Sequence, residues 1–551
     1  MRQHGRDSVL VVGEGVLEFD QDGNPTTRQP STIEELRRFR FSRLGPTGPQ
    51  IDEATRIALA TAITEGDNDQ PDSANPPIPA GFTYLGQFVD HDLTMDRTEA
   101  QLGEDVSLDE LMQGRSPALD LDSVYGRGPR DARDRAFYAQ DGVKLKMGRT
   151  SATTFPDDRT NVELEGFDLP RVGGTAGTHA DRRRPLIPDL RNDENLVVAQ
   201  THLAFSRFHN RVVDELATTG MAEGRLFKAA REQVVKHYQW MLRTDFLPRI
   251  VDPAIVSDVF THGRRFFEVR GHGRRPTMPI EFSVAAYRFG HSMVRGGYQW
   301  NRVFRSNGPG PLATLLLLFT FTGVSGNFQG GSGIPELDDP NSGTVDTLPT
   351  NWIADFRRLF DFTEAGRPDL AAPAESDGGN IAKRIDTRLV DPLRQLPAGT
   401  FAGRGSTIPE IQRNLAFRNL TRANMVGLAS GQQMAELLGV QPLTAEQIQN
   451  GDQGASLAGL TAEQLATVTT STPLWFYVLR EAEFNNGRLG AVGGRIVAEL
   501  FHRAMEGSQI SIVREPWWRP ALGPDSTTFR MTDLLLFAFE GKSDLLNPLG
   551  D

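Results

Sequence analysis

No cysteine occurs anywhere in the 551 residues. That excludes a disulfide framework, cysteine zinc sites, iron–sulfur clusters, thiolate-ligated haem and a cysteine nucleophile. Long apolar runs are also missing. The longest, around Leu315 to Phe321, is far too short to span a bilayer. Val9 to Val12, near the N-terminus, is too short for the apolar core of a secretory signal. The expectation is a soluble chain with no membrane span and no recognisable export signal, an extracellular site staying open. Positive charge is in deficit: 59 Lys and Arg stand against 71 Asp and Glu, a net charge of −12. A nucleic-acid binder wants a basic face and a peripheral membrane anchor a polybasic patch, so neither class fits. No repeat of 20–50 residues is visible.

What is present is an ordinary globular balance, 38% hydrophobic and 24% charged, in a chain large enough to bury a core without a metal or disulfide staple. Fifty-five Gly and 34 Pro point to many ordered loops between short elements. Residues 1–75 read as an N-terminal arm, with helix-like text at Ile33 to Phe39, and 76–551 as one large catalytic domain. Loops are expected at Gly66 to Gly81 and Gly326 to Asn351. Helical periodicity dominates elsewhere. The clearest helices are Asn195 to about Thr218, Arg225 to about Leu247, Ile280 to about Val294, and Ile408 to Met425, the last with a capping box at Thr407 to Glu410. Strand alternation is rare and short, so the fold class is mainly α, with few short strands and long loops. Val12-Gly13-Glu14-Gly15 lacks the third glycine and the helix of a dinucleotide loop, and reads as a turn.

The segment Gly81 to Asp96 carries the first concentration of chemistry. At 100° per residue, Gln87, Asp90 and His91 share one helical face, while Asp92 points nearly the opposite way. An amide, a carboxylate and an imidazole on a turn otherwise built of Phe88, Val89 and Leu93 suggest a buried site. Farther on, Ser116, Asp120 and Asp122 alternate oxygen-bearing side chains that can wrap a hard cation together with a backbone carbonyl. The pattern is no EF-hand, and the same text also suits a solvated turn. Arg191 and Glu194 are neighbours on one side of a turn, a pattern that an ordinary helix-start ion pair also gives. His202 and His209 have no carboxylate at metal-binding spacing. His291 sits in an apolar helical stretch beside Gly290, where a flat macrocycle could come close.

Gly86-Gln87-Phe88-Val89-Asp90-His91-Asp92 resembles the distal-histidine motif of the animal-type haem peroxidases, the peroxidase–cyclooxygenase superfamily, and most closely that of its bacterial members. Four further landmarks follow in the family's order between Ser116 and Arg422, so the resemblance covers roughly residues 75 to 550. It implies haem b, with His91 as acid–base catalyst, Arg191 as catalytic arginine and Gln87 orienting a distal water or anion. It implies Ca²⁺ held by Asp92, Ser116, the Ala118 carbonyl, Asp120 and Asp122. Arg288-Phe289-Gly290-His291 resembles the proximal motif, so His291 is expected to ligate the iron, and a metal-bound imidazole needs a partner for its other nitrogen. Asn419 is expected to accept from it, with Arg288 and Arg422 at the haem propionates or lining the proximal side. Asp90 and Glu194 match the carboxylates that form ester bonds to haem methyls. Asn195 stands where the most oxidising members carry a Met that adds a sulfonium bond.

The function implied is reduction of H2O2, through an oxoferryl haem, with oxidation of phenols, aromatic amines, iodide, thiocyanate and, at the limit, bromide. Two alternatives remain. A fatty-acid dioxygenase of the same superfamily would need a Tyr three residues before the proximal His, where this chain has Arg288. A non-catalytic calcium- and haem-binding protein would have no need of Gln87, His91 and Arg191 together.

Overall fold

The computed structural model describes residues 17–19, 25–27, 40–66, 69, 77–98, 100–269, 276–328, 343–373, 378–397 and 408–551. Ile33 to Phe39, the Val12 to Gly15 turn, Thr407 and parts of both expected loops lie outside them. The architecture is mainly helical, at 46% helix and 7% strand. Strands serve only as short clasps. Phe41–Ser42 pairs in parallel with Met278–Pro279. Gly148–Arg149 pairs with Glu165–Asp168, and Gly297–Tyr298 with Ala313–Thr314, both antiparallel.

Nine helices carry the description: α1 (Glu53–Thr64), α2 (Gly81–Leu93), α3 (Leu196–Thr218), α4 (Glu223–Met241), α5 (Pro253–His262), α6 (Leu415–Met425), α7 (Leu474–Glu483), α8 (Gly493–Gly507) and α9 (Met531–Ala538). Helix α3 is the spine. Helices α2, α4 and α9 pack on it, α1 packs on α6, and α5 on α8. One continuous apolar core runs from Phe41 to Leu549.

Helix α2 begins without a side-chain cap. Its first free N–H groups are satisfied from elsewhere: Gly81 donates to the Leu359 carbonyl at 2.9 Å, and Ala80 to that of Asn380 at 2.9 Å. Gly81 lies so close to Phe360 that a Cβ there would sit 2.3 Å from its ring. Phe82, Leu85, Phe88 and Val89 are buried, and Phe88 stacks on Phe205 of α3 at 4.7 Å. The helix is thereby fixed in position and rotation, which sets where its polar face points.

Three expected helices differ in detail. Helix α3 starts where expected, with Asn195 as its N-cap, the side chain accepting from the Val198 N–H. Helix α4 begins two residues earlier than expected and passes through a wide turn, Leu242–Phe246, into Leu247–Ile250. The stretch Ile280 to Val294 is not a regular α-helix. It is a wide turn, Glu281–Ala285, followed by tight 3₁₀ winding over Ala286–Met293. Ile408 to Met425 is broken at Asn414, whose side chain accepts from the Ala416 and Phe417 N–H groups and starts α6 afresh. The short helix before it, Glu410–Arg413, has no side-chain cap.

Candidate active site

A cavity of about 1660 Å³, its mouth included, separates α2 from the proximal segment Ala286–Met293. Gln87, Asp90, His91, Arg191, Glu194 and Asn195 line one side, and Arg288, Gly290, His291, Asn419 and Arg422 the other. The structure therefore brings together the distal and proximal residues singled out in the sequence. Protein interiors are close-packed, so a space of this size between two imidazoles marks a ligand site.

The distal imidazole is oriented from behind. His91 Nδ1 lies 2.9 Å from Asn192 Oδ1, an acceptor, so the proton sits on Nδ1 and the Nε2 lone pair is left for the cavity. Asn192 uses its amide N–H toward His202 Nδ1, at 2.9 Å. Burial holds His202 down at about 3, so its ring is neutral and able to accept. His209 is occupied elsewhere, between the Tyr125 hydroxyl at 3.0 Å and the Val143 carbonyl at 2.9 Å. Gln87 does not stand alone at the cavity: its amide donates to Glu194 Oε1 and accepts from Asn195 at 2.9 Å. Asn195 thus both caps α3 and holds Gln87. Glu194 Oε1 lies 3.5 Å from His91 Nε2.

Arg191 pairs with Asp189, not with Glu194. Its Nη2 donates to Asp189 Oδ2 at 2.7 Å and to the His91 carbonyl at 2.9 Å. Arg115 donates to the same Asp189 oxygen at 2.6 Å. Burial raises the Asp189 carboxyl, but the Arg191 and Arg115 guanidinium groups outweigh it and hold the group well below the usual carboxylate range. Two cations thus share one buried anion, and Glu194 adds a second carboxylate 3.5 Å from His91 Nε2. Sequence reasoning missed Asp189, Arg115 and Asn192. Asp189 was two residues from a residue already chosen, whereas Arg115, 74 residues away, had no local signal.

On the proximal side, Asn419 Nδ2 lies 3.0 Å from His291 Nδ1. The expectation was the reverse, with the amide oxygen facing the ring. Half a turn of the amide exchanges its two ends, and that orientation lets Nδ1 donate and frees Nε2 as a ligand. Burial pushes His291 down to about 3, so the ring is neutral, as a metal ligand must be. Arg288 is fixed by a 2.9 Å bond to the Ser283 carbonyl, and its own carbonyl accepts from Trp475. A Cβ built on Gly290 meets nothing within 4 Å, so its α-face opens on the cavity. These features fit a flat macrocycle ligated by His291. Asp90 accepts from Thr94 Oγ1 at 2.9 Å.

Asp92 points away from the cavity, as its helical position required. It accepts from the Leu121 and Ser123 N–H groups at 3.1 and 3.3 Å. Burial and the charge of Asp122 push its carboxyl up to about 7. Asp120 is raised by burial and by the charges of Asp122 and Asp92, and its Oδ1 is buried without a hydrogen-bond partner. Among the described residues no group of three or more His, Cys, Asp or Glu side chains converges to metal-binding geometry. Ser116 is half-buried and Ala118 buried beside this cluster in sequence.

Residues 95–317 match the family described as animal haem peroxidase. Arg191, Glu194 and His291 fall inside the matched range, Gln87, His91 and Asn419 outside it. A peroxidase-like protein of Margaritifera margaritifera is 34% identical over 277 residues, covering 43% of this chain and 34% of that protein. The chain spans about a third or less of the length of the curated relatives it matches. In fold, the chain is similar to peroxidase A from Dictyostelium discoideum, with a TM-score of 0.53, 13% identity and coverage of 99% and 98%. It is also similar to an Oryza sativa fatty acid α-dioxygenase variant with palmitic acid, with a TM-score of 0.51, 12% identity and coverage of 98% and 86%. No helix among the described residues is long and apolar enough to cross a membrane.

The Asp189 cluster makes a direct prediction. Asp189→Asn leaves two buried guanidinium groups without their carboxylate and should cost about 3–5 kcal/mol in denaturant unfolding at pH 7. Because the folded carboxyl is depressed, this contribution is present above about pH 4 and is lost only as pH falls toward the folded value. A loss under about 1 kcal/mol would show that Arg191 and Arg115 are held by other means.

Proposed function

We propose that this chain is a peroxidase: it reduces H2O2 and oxidises small donors, phenols, aromatic amines, iodide, thiocyanate and, at the limit, bromide. The observation that carries the reading is the confrontation of His91 Nε2 and His291 across an open cavity, each ring held from behind by an Asn. Haem b is the cofactor, held by His291 with Arg288 and Arg422 as partners for its propionates. When bound, it supplies the redox chemistry that splits the peroxide O–O bond.

The residues do the rest. His91 takes a proton at Nε2 from the near peroxide oxygen and returns it to the leaving oxygen, as base and then acid. Asn192 keeps the Nδ1 proton in place, so that only Nε2 takes part. Arg191, rigidly held by Asp189, stabilises the charge that develops on the leaving oxygen. Gln87, tied to Glu194 and Asn195, orients a distal water or anion. Two variants separate these roles. His91→Ala should keep the haem absorbance and slow peroxide consumption about 10²- to 10⁴-fold. His291→Ala should lose the haem spectrum itself. Full turnover in either variant would overturn the assignment.

The dioxygenase alternative has the fold in its favour. Against it, the residue three positions before His291 is Arg288, and the Tyr287 hydroxyl is engaged by the Gly86 carbonyl at 3.2 Å. Oxygen uptake driven by a fatty acid without added peroxide would decide for the alternative. The buried carboxylates Asp92 and Asp120, with the half-buried Asp122 beside them, crowd charges that a bound cation would neutralise, which supports Ca²⁺ there with Ser116 and the Ala118 carbonyl.

Asp90 and Glu194 both face the cavity, which supports ester links to the haem during turnover. Asn195, having no sulfur, supplies no sulfonium bond, so oxidation of chloride should be weak. Peroxide-treated holoprotein should yield haem on peptides containing Asp90 and Glu194 in mass spectrometry, and should contain calcium by elemental analysis. Freely extractable haem would refute the links, and active protein devoid of calcium would refute the ion.

A further inference from the structure

A second, smaller chamber of about 650 Å³, mouth included, adjoins the main cavity. The two share Thr94, Asp96, Arg288 and Arg422. Beyond this polar junction the smaller chamber is mainly apolar, walled by Leu102, Val106, Leu111, Ile280, Val284 and Val426, with the Thr98 and Ser283 hydroxyls the exceptions. Its outer wall is the loop after α2, and that loop is pinned. Arg97 donates its N–H to the Met112 carbonyl and Gly114 to that of Met95, each at 2.8 Å. Val106 donates to the carbonyl of Met425, at the end of α6, also at 2.8 Å. The space is therefore walled by anchored backbone. A largely apolar recess with a few polar groups at one end has the character of a small-molecule site.

The polar end selects the occupant. Asp96 Oδ1 accepts from the Thr98 N–H at 2.9 Å, and Oδ2 stands 3.9 Å from Arg422 Nη1. Thr94 gives its hydroxyl to Asp90. With Arg288 and Arg422 given to the propionates, and the Thr98 and Ser283 hydroxyls bonded to the Met112 N–H and the Pro279 carbonyl, the charged acceptor for a guest is the Asp96 carboxylate. It favours a neutral apolar molecule with one O–H or N–H group.

We infer that this chamber is the binding site for the aromatic donor, a phenol or aromatic amine whose ring lies among Leu102, Leu111 and Val284 and whose O–H or N–H points to Asp96. The inference rests on the haem peroxidase reading. Each phenol loses one electron to the peroxide-oxidised haem and, as its O–H bond breaks, one proton to Asp96, which releases it to solvent. One H2O2 and two phenols then give two waters and two aryloxyl radicals. Iodide, small and charged, has no use for an apolar chamber.

The test compares para-cresol with iodide in the holoprotein, and measures cresol binding directly by equilibrium dialysis of the resting protein. Leu102→Trp fills the chamber, and Asp96→Asn removes the proton acceptor while keeping an oxygen for the Thr98 N–H. Leu102→Trp should weaken cresol binding and raise its KM about ten-fold, a change of about 1.4 kcal/mol. Iodide turnover and haem content should stay within about two-fold of the wild type, under about 0.5 kcal/mol. Asp96→Asn should lower the cresol kcat with a smaller change in its KM. Unchanged cresol binding and KM in Leu102→Trp, or an equal loss with iodide in either variant, would overturn the chamber assignment. Absence of haem or of iodide oxidation in the wild type would instead sink the peroxidase reading itself.

Discussion

Everything in this molecule depends on keeping a space open between two imidazoles. A close-packed interior tends to collapse on a void, so both walls must be stiff. Helix α2 is locked by Phe360 at its start and by Phe88 on Phe205 along its length. The proximal segment is locked by its tight winding, by Trp475 behind the Arg288 carbonyl and by Asn419 behind His291. Gly290 then leaves the centre of the proximal wall without a side chain.

Buried charge is the second constraint, and it is met differently on the two sides of α2. Facing the cavity, two guanidinium groups share Asp189, and Glu194 adds a second carboxylate beside the distal imidazole. Behind the helix carboxylates predominate: Asp92, Asp120 and Asp122 crowd together. One helix thus separates a charge-paired site from one suited to a cation. Because Asp90, His91 and Asp92 are consecutive, rotation of α2 by one residue would disturb both.

Much of this was legible because α2 obeys simple periodicity. The 87, 90, 91 spacing placed three polar groups on one face and turned Asp92 away, and the structure keeps that arrangement. Asn195 was read only as the residue standing where a Met would matter; that it caps α3 and holds Gln87 is visible only in three dimensions. The proximal stretch looked like an α-helix because its apolar spacing also suits the wide turn and 3₁₀ winding that form. The break at Asn414 was missed because periodicity runs on through it, although an Asn able to accept two N–H groups is itself a start signal. Arg115 could not be found from the sequence, since its partner Asp189 lies 74 residues away. The side chamber was equally hidden: its walls come from the loop after α2, the stretch before His291 and the end of α6.

The central claim is that the space between His91 and His291 is the seat of haem, and Gly290 offers the most direct test. A Cβ there meets no atom within 4 Å and opens on the cavity, so Gly290→Leu should fold and differ in what the cavity can admit. Titration of the haem-free protein with hemin, followed by the Soret band, should show one haem per wild-type chain and a binding loss of at least ten-fold, about 1.4 kcal/mol, in Gly290→Leu at unchanged circular dichroism. Equal hemin affinity in the two proteins would place the haem elsewhere and contradict the account.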